Sequence, residues 1–209
     1  MILGNFCVFE GIDGTGTTTQ IRELRRRCDE RGVPAWFTCE PTDGDIGRLI
    51  RKALSGDIRL TPDTMTRLFA ADRGEHLWGV NGIGEHLDSG EIAVTDRYFF
   101  SSIAYQGAAG DQELPFQANA GFPLPELLFF FDLDSEAAMN RVERRGGKLE
   151  IYEKREFQKR VRDKYHEILP RFAEKEPRMR LVTVDAALPV NEISEIIWNE
   201  FQNLSIFLR

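Results

Sequence analysis

A run of glycines and hydroxyl side chains follows the first apolar stretch of the sequence, in FEGIDGTGTTTQ (residues 9–20). Glycines in such a run let backbone N–H groups curl around an anion, and the N-terminus of the helix that follows adds partial positive charge. The sequence therefore predicts a phosphate-binding loop made of Gly11, Ile12, Asp13, Gly14, Thr15, Gly16, Thr17 and Thr18. Thr18 stands where a hydroxyl would help to hold Mg²⁺. A plain strand-to-helix turn is the alternative interpretation.

The loop departs from the usual G-x-x-x-x-G-K-[ST] pattern at one position, because Thr17 replaces the lysine. That lysine neutralises charge between the β- and γ-phosphates as a phosphoryl group moves. The loss of one such donor typically costs about 10²–10³ in rate. Backbone amides would still bind a nucleotide, but fast transfer needs another cation, for which Lys148 and the arginines near it are the candidates.

Asp96 and Arg97 come directly after the apolar run at 91–95, where a parallel strand is expected to end. The carboxyl ends of parallel strands form the usual ligand edge of an α/β sheet. Asp96 is suited to order Mg²⁺ through water. Arg97 is suited to bridge two phosphates, since a guanidinium is permanently charged and presents a planar fork of donors. A structural ion pair between the two neighbours is the alternative.

Phe69 and Arg73 are four residues apart on a predicted helix and therefore share one face. An aromatic ring can stack on a nucleotide base while a guanidinium one turn further on reaches a polar edge or a phosphate. A core phenylalanine beside a surface arginine is the alternative.

Three arginines, Arg141, Arg144 and Arg145, are spaced three and four apart before the glycine pair at 146–147. Such a helical face beside a flexible break could close over phosphates as a lid, which would cover about residues 141–153. A solvated basic face is the equally weighted alternative.

Short apolar runs alternate with amphipathic stretches along the chain, which is typical of an α/β fold with a parallel sheet. The predicted strands cover residues 5–10, 34–40, 91–95, 127–133 and 180–184, and the predicted helices cover 18–31, 46–54, 61–87 and about 190–203. Thr61 followed by Pro62 marks the start of the third helix, with a hydroxyl cap and proline in the first turn. We expect one domain over residues 1–209, with a five-stranded sheet and helices on both faces.

Composition narrows the function further. The chain of 209 residues is 42% hydrophobic and has a net charge of −7, which argues against a general nucleic-acid binder. Its three cysteines lack metal-ligand spacing and read as reduced thiols of a cytoplasmic protein, with Cys7 in the core. The three histidines show no metal or triad spacing, so we assign them packing or surface roles. We find no signal peptide and no membrane span.

Five segments, in order, resemble the thymidylate kinase family of P-loop nucleoside monophosphate kinases, and the resemblance covers nearly the whole chain. The segments are FEGIDG…TTQ (9–20), EPTDGDIGRLIR (40–51), RLFAADRGEHL (67–77), TDRYFFSSIAYQG (95–107) and FQKRVRDKYHEI (157–168). The resemblance implies a three-layer P-loop fold with a small lid, and transfer of the γ-phosphoryl of ATP to dTMP with Mg²⁺. It also implies nucleotides as the ligands, no nucleic acid, no membrane, and a homodimer.

The same resemblance implies roles for individual residues. Asp13 would meet the sugar 3′-hydroxyl of the acceptor, and Arg51 would steady its phosphate. Tyr105 would disfavour a ribose 2′-hydroxyl. The full set of implied acceptor-binding residues is Asp13, Glu40, Pro41, Arg51, Phe69, Arg73, Arg97, Ser102, Tyr105 and Gln106, with Phe69, Arg73, Ser102 and Gln106 near the base. The catalytic set is Asp96, Arg97, Arg141 and Arg145, and the metal set is Thr18 and Asp96.

A second departure lies beyond the basic face. The family usually carries D-R-[IF]-E there, whereas this chain has Glu150, Ile151, Tyr152 and Glu153, so its arginine position is Ile151. Both departures fall on the phosphoryl-donor side. Three hypotheses therefore stay open: an active dTMP kinase, a nucleotide-binding homologue that has lost most catalysis, and a kinase for another (deoxy)nucleoside monophosphate.

Overall fold

The computed structural model describes residues 1–146 and 150–208. Its strands form one parallel sheet in the order β2-β3-β1-β4-β5. Their bounds are β1 Ile2–Gly11, β2 Ala35–Cys39, β3 Ile92–Asp96, β4 Leu124–Asp132 and β5 Arg180–Asp185. The predicted α/β fold with a five-stranded parallel sheet is confirmed, and each strand lies where the apolar runs placed it.

Helices cover both faces of this sheet. They are α1 Thr17–Arg31, α2 Asp45–Leu54, α3 Pro62–Trp78, α4 Ile83–Asp88, α5 Phe99–Ala109, α6 Glu113–Asn119, α7 Ser135–Arg145, α8 Arg155–Lys175 and α9 Val190–Phe201, followed by a 3₁₀ turn, Ser205–Leu208. Right-handed crossovers in opposite directions along the sheet place helices on opposite faces. Accordingly α1 packs beside α9, while α5 packs beside α3 and α8. No helix within the described ranges is long and apolar enough to cross a membrane.

The core is centred on β1 and β4, which are covered on both faces and are therefore apolar at successive positions. Phe6, Phe9, Phe129 and Phe131 are fully buried. The ring of Phe9 lies 5.0 Å from that of Phe129 and 5.6 Å from that of Phe131, between centroids. Burial of one such side chain stabilises the fold by about 1.5–3 kcal/mol. Cys7 is buried in the same strand, as expected.

The helix predicted over residues 61–87 was wrong in extent, because two helices occupy it. Its start is as predicted: the Thr61 hydroxyl accepts from the backbone N–H of Thr64 at 3.2 Å, and α3 begins at Pro62. The helix ends at Trp78, and Gly79 is extended. A Cβ at Gly79 would lie 2.5 Å from the carbonyl oxygen of Glu75. The chain therefore leaves the helix where only glycine fits, and α4 starts after Gly82.

Candidate active site at the carboxyl ends of the strands

The glycine-rich loop joins the end of β1 to the start of α1. Gly14 and Gly16 have φ values of 89° and 94°, in the left-handed region that glycine tolerates best. A Cβ at Gly14 would lie 2.3 Å from the carbonyl oxygen of Ala138, so a larger residue does not fit there. Helix α1 has no side-chain cap from any described residue. Its first backbone N–H groups are therefore available to an anion, as the sequence predicted for this loop.

Two cavities open at this edge of the sheet. The wide cavity, of about 740 Å³, lies between the ends of β2 and β3, the helices α2, α3 and α5, and residues 150 and 152. The loop cavity, of about 620 Å³, lies along residues 12–19, α7 and the segment after β5. Four residues line both cavities: Asp13, Thr18, Asp96 and Arg97. The two cavities therefore meet at a wall made of side chains that the sequence singled out.

Arg97 is held at this shared wall by contacts in several directions. Its guanidinium donates to the carbonyl oxygen of Gly11 at 3.0 Å, to Asp13 Oδ1 at 2.6 Å and to the Ser101 hydroxyl at 3.1 Å. The ring of Tyr105 lies 4.9 Å from the guanidinium carbon. The backbone φ of Arg97 is 72°, a conformation that costs roughly 1–3 kcal/mol in a non-glycine residue. Such strain, maintained by surrounding contacts, is typical of functional positions.

Asp96 lies beside the two threonines that begin α1. Its Oδ2 accepts from the Thr18 hydroxyl at 3.2 Å and from the Thr17 hydroxyl at 3.4 Å. Burial raises the pKa of Asp96 above its ordinary value, while Arg97 and the two hydroxyls oppose that shift. Carboxylate and hydroxyl oxygens are the ligands that Mg²⁺ prefers. The donor set formed by Thr18 and Asp96 therefore fits the metal role implied for them.

Arg73 is nearly fully buried in the wall of the wide cavity and paired with Glu40. Its Nη2 donates to Glu40 Oε2 at 2.6 Å and to the Ser102 hydroxyl at 3.2 Å, and its Nη1 donates to Asn119 Oδ1. The other oxygen of Glu40 lies 3.0 Å from His76 Nδ1. A buried ion pair with each oxygen engaged fixes the guanidinium. Glu40 thus holds Arg73 in place and also lines the wide cavity, and its substrate contact stays a prediction.

The remaining base-side residues also reach the wide cavity. Phe69, Ser102, Tyr105 and Gln106 line it, and Arg73 does so beside Phe69 on α3. Two buried polar atoms find no partner among the described residues, the Nε donor of Arg73 and the Oε1 acceptor of Gln106. Unpaired buried groups are costly, and each such group calls for an explanation. Arg73 and Gln106 both line the wide cavity, so its wall contains side chains with one unpaired donor and one unpaired acceptor among the described residues.

Arg51 lines the rim of the wide cavity, on α2. Its Nη2 donates to the carbonyl oxygen of Pro41 and lies 3.4 Å from the carboxylate of Asp43, a side chain that is 98% exposed. The pair with Asp43 is therefore weak. Arg51 and Pro41 thus lie together at the cavity mouth, where an anionic group of a ligand would meet the guanidinium.

The basic face on α7 reaches the loop cavity in part. Arg141 and Arg145 line it, whereas Arg144 does not. Arg141 Nη1 donates to the carbonyl oxygen of Ala186 at 3.1 Å, and Arg145 Nη2 donates to Glu153 Oε1 at 3.0 Å. Two of the three arginines on this face, Arg141 and Arg145, therefore line the loop cavity. Lys148, the other predicted cation, lies outside the described residues.

Sequence reasoning gave no role to three residues that organise the site: Ser101, Tyr152 and Gln158. Gln158 is fully buried on α8; its Nε2 donates to Asp13 Oδ2 at 2.5 Å and to the carbonyl oxygen of Tyr152 at 2.9 Å. Its Oε1 accepts from the backbone N–H of Asp13 at 3.2 Å. Gln158 lies in the segment 157–168 that carried the resemblance. Its place in that segment, directly after Phe157, was the only sequence feature that could have pointed to it.

Removal of the Gln158 contacts should loosen the phosphate loop. We expect Gln158→Leu, which keeps the volume but has no polar atoms, to raise KM for ATP by about tenfold, because Asp13 loses its support. Steady-state kinetics with varied ATP measure this change. Gln117→Leu on α6, outside both cavities, is the control. An unchanged KM and kcat in Gln158→Leu would contradict the prediction.

Comparison with known proteins agrees with this geometry. The thymidylate kinase family model matches residues 9–197. A protein named putative thymidylate kinase from Treponema pallidum is 43% identical over 196 residues, which cover 94% of each chain. Proteins named probable thymidylate kinase from Methanocaldococcus jannaschii and Pyrococcus abyssi are 40% and 38% identical, over 80% and 93% of this chain and 83% and 94% of their own.

The match of the family model spans the loop, both cavities and the helices around them. The three relatives align with 80–94% of this chain at identities of 38–43%. The five segments quoted from the sequence, the parallel sheet and the shared wall of the two cavities all agree with this result. The chain belongs to the thymidylate kinase family.

Proposed function

We propose that this chain transfers the γ-phosphoryl group of ATP to dTMP, giving ADP and dTDP. The observation that carries the proposal is the shared wall: Asp13, Thr18, Asp96 and Arg97 line both cavities. A donor triphosphate along the loop and an acceptor monophosphate in the wide cavity would approach each other at that wall. The names of the relatives support the same reaction.

On the donor side, the loop backbone and the N-terminus of α1 bind the phosphates of ATP. Mg²⁺ would be held by Thr18 and Asp96 and would supply charge neutralisation on the phosphates. Arg141 and Arg145 add positive charge from α7. Arg97 faces both ligands and neutralises charge on the phosphoryl group as it moves. Because positioning and charge neutralisation suffice for phosphoryl transfer, the protein needs no covalent intermediate.

On the acceptor side, the free atoms of Arg73 and Gln106 match thymine. Thymine presents a carbonyl acceptor beside a ring N–H donor, and the side chains of Arg73 and Gln106, which line the cavity, carry an Nε donor and an Oε1 acceptor without a partner among the described residues. Phe69 supplies an aromatic face for the ring. Arg51 binds the acceptor phosphate at the mouth, and Asp13 meets the sugar 3′-hydroxyl. Tyr105 lies next to Arg97, and the family resemblance gives it the role of disfavouring a ribose 2′-hydroxyl.

A coupled assay of ADP release with dTMP, dUMP, dCMP and dGMP tests the proposal. Cytosine presents a donor and an acceptor in the reverse order, so like groups would face each other in the wall. We expect kcat/KM for dCMP to be at least about 10²-fold below that for dTMP. The loss of one methyl in dUMP should cost about tenfold or more. Tight dTMP binding without ADP release at high enzyme concentration would contradict transfer and select the binding homologue.

Phe69→Ala is expected to raise KM for dTMP by about tenfold, because aromatic stacking on a base contributes on the order of 1–3 kcal/mol. The value of kcat should change much less, since Phe69 lies away from the shared wall. Leu68→Ala is the matched control: Leu68 is the adjacent residue of α3, packs against the small cluster of α2 and α3, and does not line the cavity. An equal effect of both variants on KM would contradict a stacking role.

Two implied properties stay predictions of the family resemblance, namely a homodimer and a cytoplasmic location. Light scattering of the purified chain would measure the first. The lid over about residues 141–153 is likewise a proposal, since residues 147–149 lie outside the description.

A further inference from the structure

Glu10 is a buried carboxylate for which the proposed reaction has no use. It lies on β1, one residue before the loop, and its exposed fraction is 0%. Its Oε1 accepts from the backbone N–H groups of Tyr98 at 2.9 Å and Ser101 at 3.2 Å. Its Oε2 accepts from the Ser101 hydroxyl at 2.6 Å and from the Tyr165 hydroxyl at 2.7 Å. Among the described residues, no arginine or lysine pairs with it directly.

The hydrogen atoms in this cluster can be counted. Glu10 Oε2, the Ser101 hydroxyl and the Tyr165 hydroxyl form a triangle, since the two hydroxyl oxygens are also 2.8 Å apart. Two hydroxyl protons can fill two of its three sides, and both point at the carboxylate when Glu10 is ionised. A proton on Glu10 Oε2 completes a cycle of three hydrogen bonds, in which the Ser101 oxygen accepts either from Glu10 or from Tyr165. The Ser101 oxygen therefore accepts from no member of the triangle when Glu10 is ionised, and from one of them when Glu10 is protonated.

Ser101 connects this cluster to the reaction. Its hydroxyl oxygen accepts from Arg97 Nη1 at 3.1 Å. The same carboxylate holds the Ser101 backbone N–H, in the first turn of α5, and that of Tyr98, the residue just before α5, and Arg97 directly precedes Tyr98. Glu10 thus fixes both the backbone after Arg97 and one of the side-chain partners of its guanidinium.

We propose that Glu10 is a positioning residue that, through Ser101, holds Arg97 in its transfer-competent orientation only while the carboxylate is ionised. This inference rests on the proposed function, because Arg97 is the group positioned. A negative Glu10 keeps the Ser101 proton directed at itself and leaves the lone pairs of Ser101 to Arg97. A protonated Glu10 competes for those lone pairs.

The surroundings of Glu10 place its change of protonation state within the physiological pH range. Burial raises the pKa of Glu10 to about 7, and Arg97, Ser101 and Tyr165 oppose the shift. The facing groups are Arg97 after β3, Tyr98 directly before α5 and Tyr165 on α8; Tyr105 on α5 lies against Arg97, and the β4 neighbour Phe130 is uncharged. Burial raises the pKa of each tyrosine, so all three stay neutral. The ionised form is present above about pH 7 and is lost as the pH falls through that value.

The test is the pH profile of kcat for dTMP at saturating substrates. Wild type should lose about tenfold in kcat as the pH falls through the pKa of Glu10. Glu10→Gln has the shape of the protonated form, so it should turn over at the low rate across the range, with KM for dTMP within about twofold of wild type. The acceptor phosphate itself titrates near pH 6, but it does so equally for every variant.

The matched control is Glu126→Gln. Glu126 is also a largely buried carboxylate that accepts from backbone N–H groups and a hydroxyl, those of Asn5 and Ser205, but it lies outside both cavities. Its pH profile should match that of wild type. Tyr165→Phe removes one donor to Glu10 and should move the acid limb to higher pH, because hydrogen bonds to a carboxylate lower its pKa. This variant also decides the matter if Glu10→Gln does not fold.

The outcomes separate the inference from the proposed function. No ADP release by wild type at any pH would reject the kinase itself. An active wild type whose acid limb persists in Glu10→Gln, or stays in place in Tyr165→Phe, would reject only the role of Glu10. An equal change in Glu126→Gln would also reject it, since general loss of a buried carboxylate would then explain the effect.

Discussion

Replacement of Arg97 by alanine is expected to lower kcat for dTMP by about 10²–10³-fold, which is the typical cost of losing one preorganised donor at the transferred group. Arg97 is the only cationic side chain, among residues 1–146 and 150–208, that lines both cavities. It is also held at the shared wall by Asp13 and Ser101, whereas Arg51 lines only the wide cavity and Arg141 and Arg145 line only the loop cavity. Stopped-flow or coupled measurement of ADP release at saturating dTMP and ATP would give the value.

Arg162→Ala is the control for this variant. Arg162 forms a two-pronged pair with Asp132, at 2.7 Å and 3.1 Å, and lines neither cavity. The Arg162→Ala substitution also removes an arginine side chain and a comparable ion pair, but outside the site, so kcat should stay within about twofold of wild type. If Arg97→Ala retained more than about a fifth of wild-type kcat, Arg97 could not be the group that neutralises the moving phosphoryl.

The second large effect concerns the missing lysine at position 17. Arg145 lines the loop cavity from α7, and its partner Glu153 is the only described carboxylate that pairs with it. We expect Arg145→Ala to lower kcat by about 10²-fold, because the chain then has neither the loop lysine nor this arginine. Adding Thr17→Lys to Arg145→Ala should restore at least about tenfold. The non-additive rescue would identify the two positions as alternative sources of one charge.

Arg144→Ala is the matched control, since Arg144 is the adjacent arginine of α7 and does not line the cavity. Its kcat should stay within about twofold of wild type. Thr17→Lys alone is informative as well: a gain in turnover would show a simple deficit at position 17, and no gain would show that another cation already fills the space. Wild-type kcat in Arg145→Ala would contradict the assignment of Arg145, and so would a loss that Thr17→Lys does not restore.

The sheet and the loop could be predicted from sequence because local signals determine them. Apolar runs such as LLFFFDL identify strands covered on both faces, and the glycines before Thr17 identify a turn into a helix. The break after Trp78 was missed, because the apolar spacing of three and four continues across it. Its cause is the pair Gly79 and Gly82, whose close approach to the preceding helix a pattern does not show.

The polar networks could not be predicted, because they join residues far apart in the chain. Glu10 and Tyr165 are 155 positions apart, and Asp13 and Gln158 are 145 apart. Glu40 shows the same limit at one residue. The resemblance implies a substrate contact, and what the sequence could not show is that its two oxygens are engaged by Arg73 and His76 while it lines the wide cavity. Motifs singled out candidate residues, and only the structure showed which of them line a cavity and which hold another side chain.

A crystal structure with dTMP and a non-hydrolysable ATP analogue would test the two-cavity arrangement directly. We expect the triphosphate along residues 11–18, thymine against Phe69 with its polar edge at Arg73 and Gln106, and the Arg97 guanidinium between the two phosphate groups. Nucleotides bound elsewhere, with the crevice above the sheet empty, or Arg97 turned away from both phosphates, would contradict it.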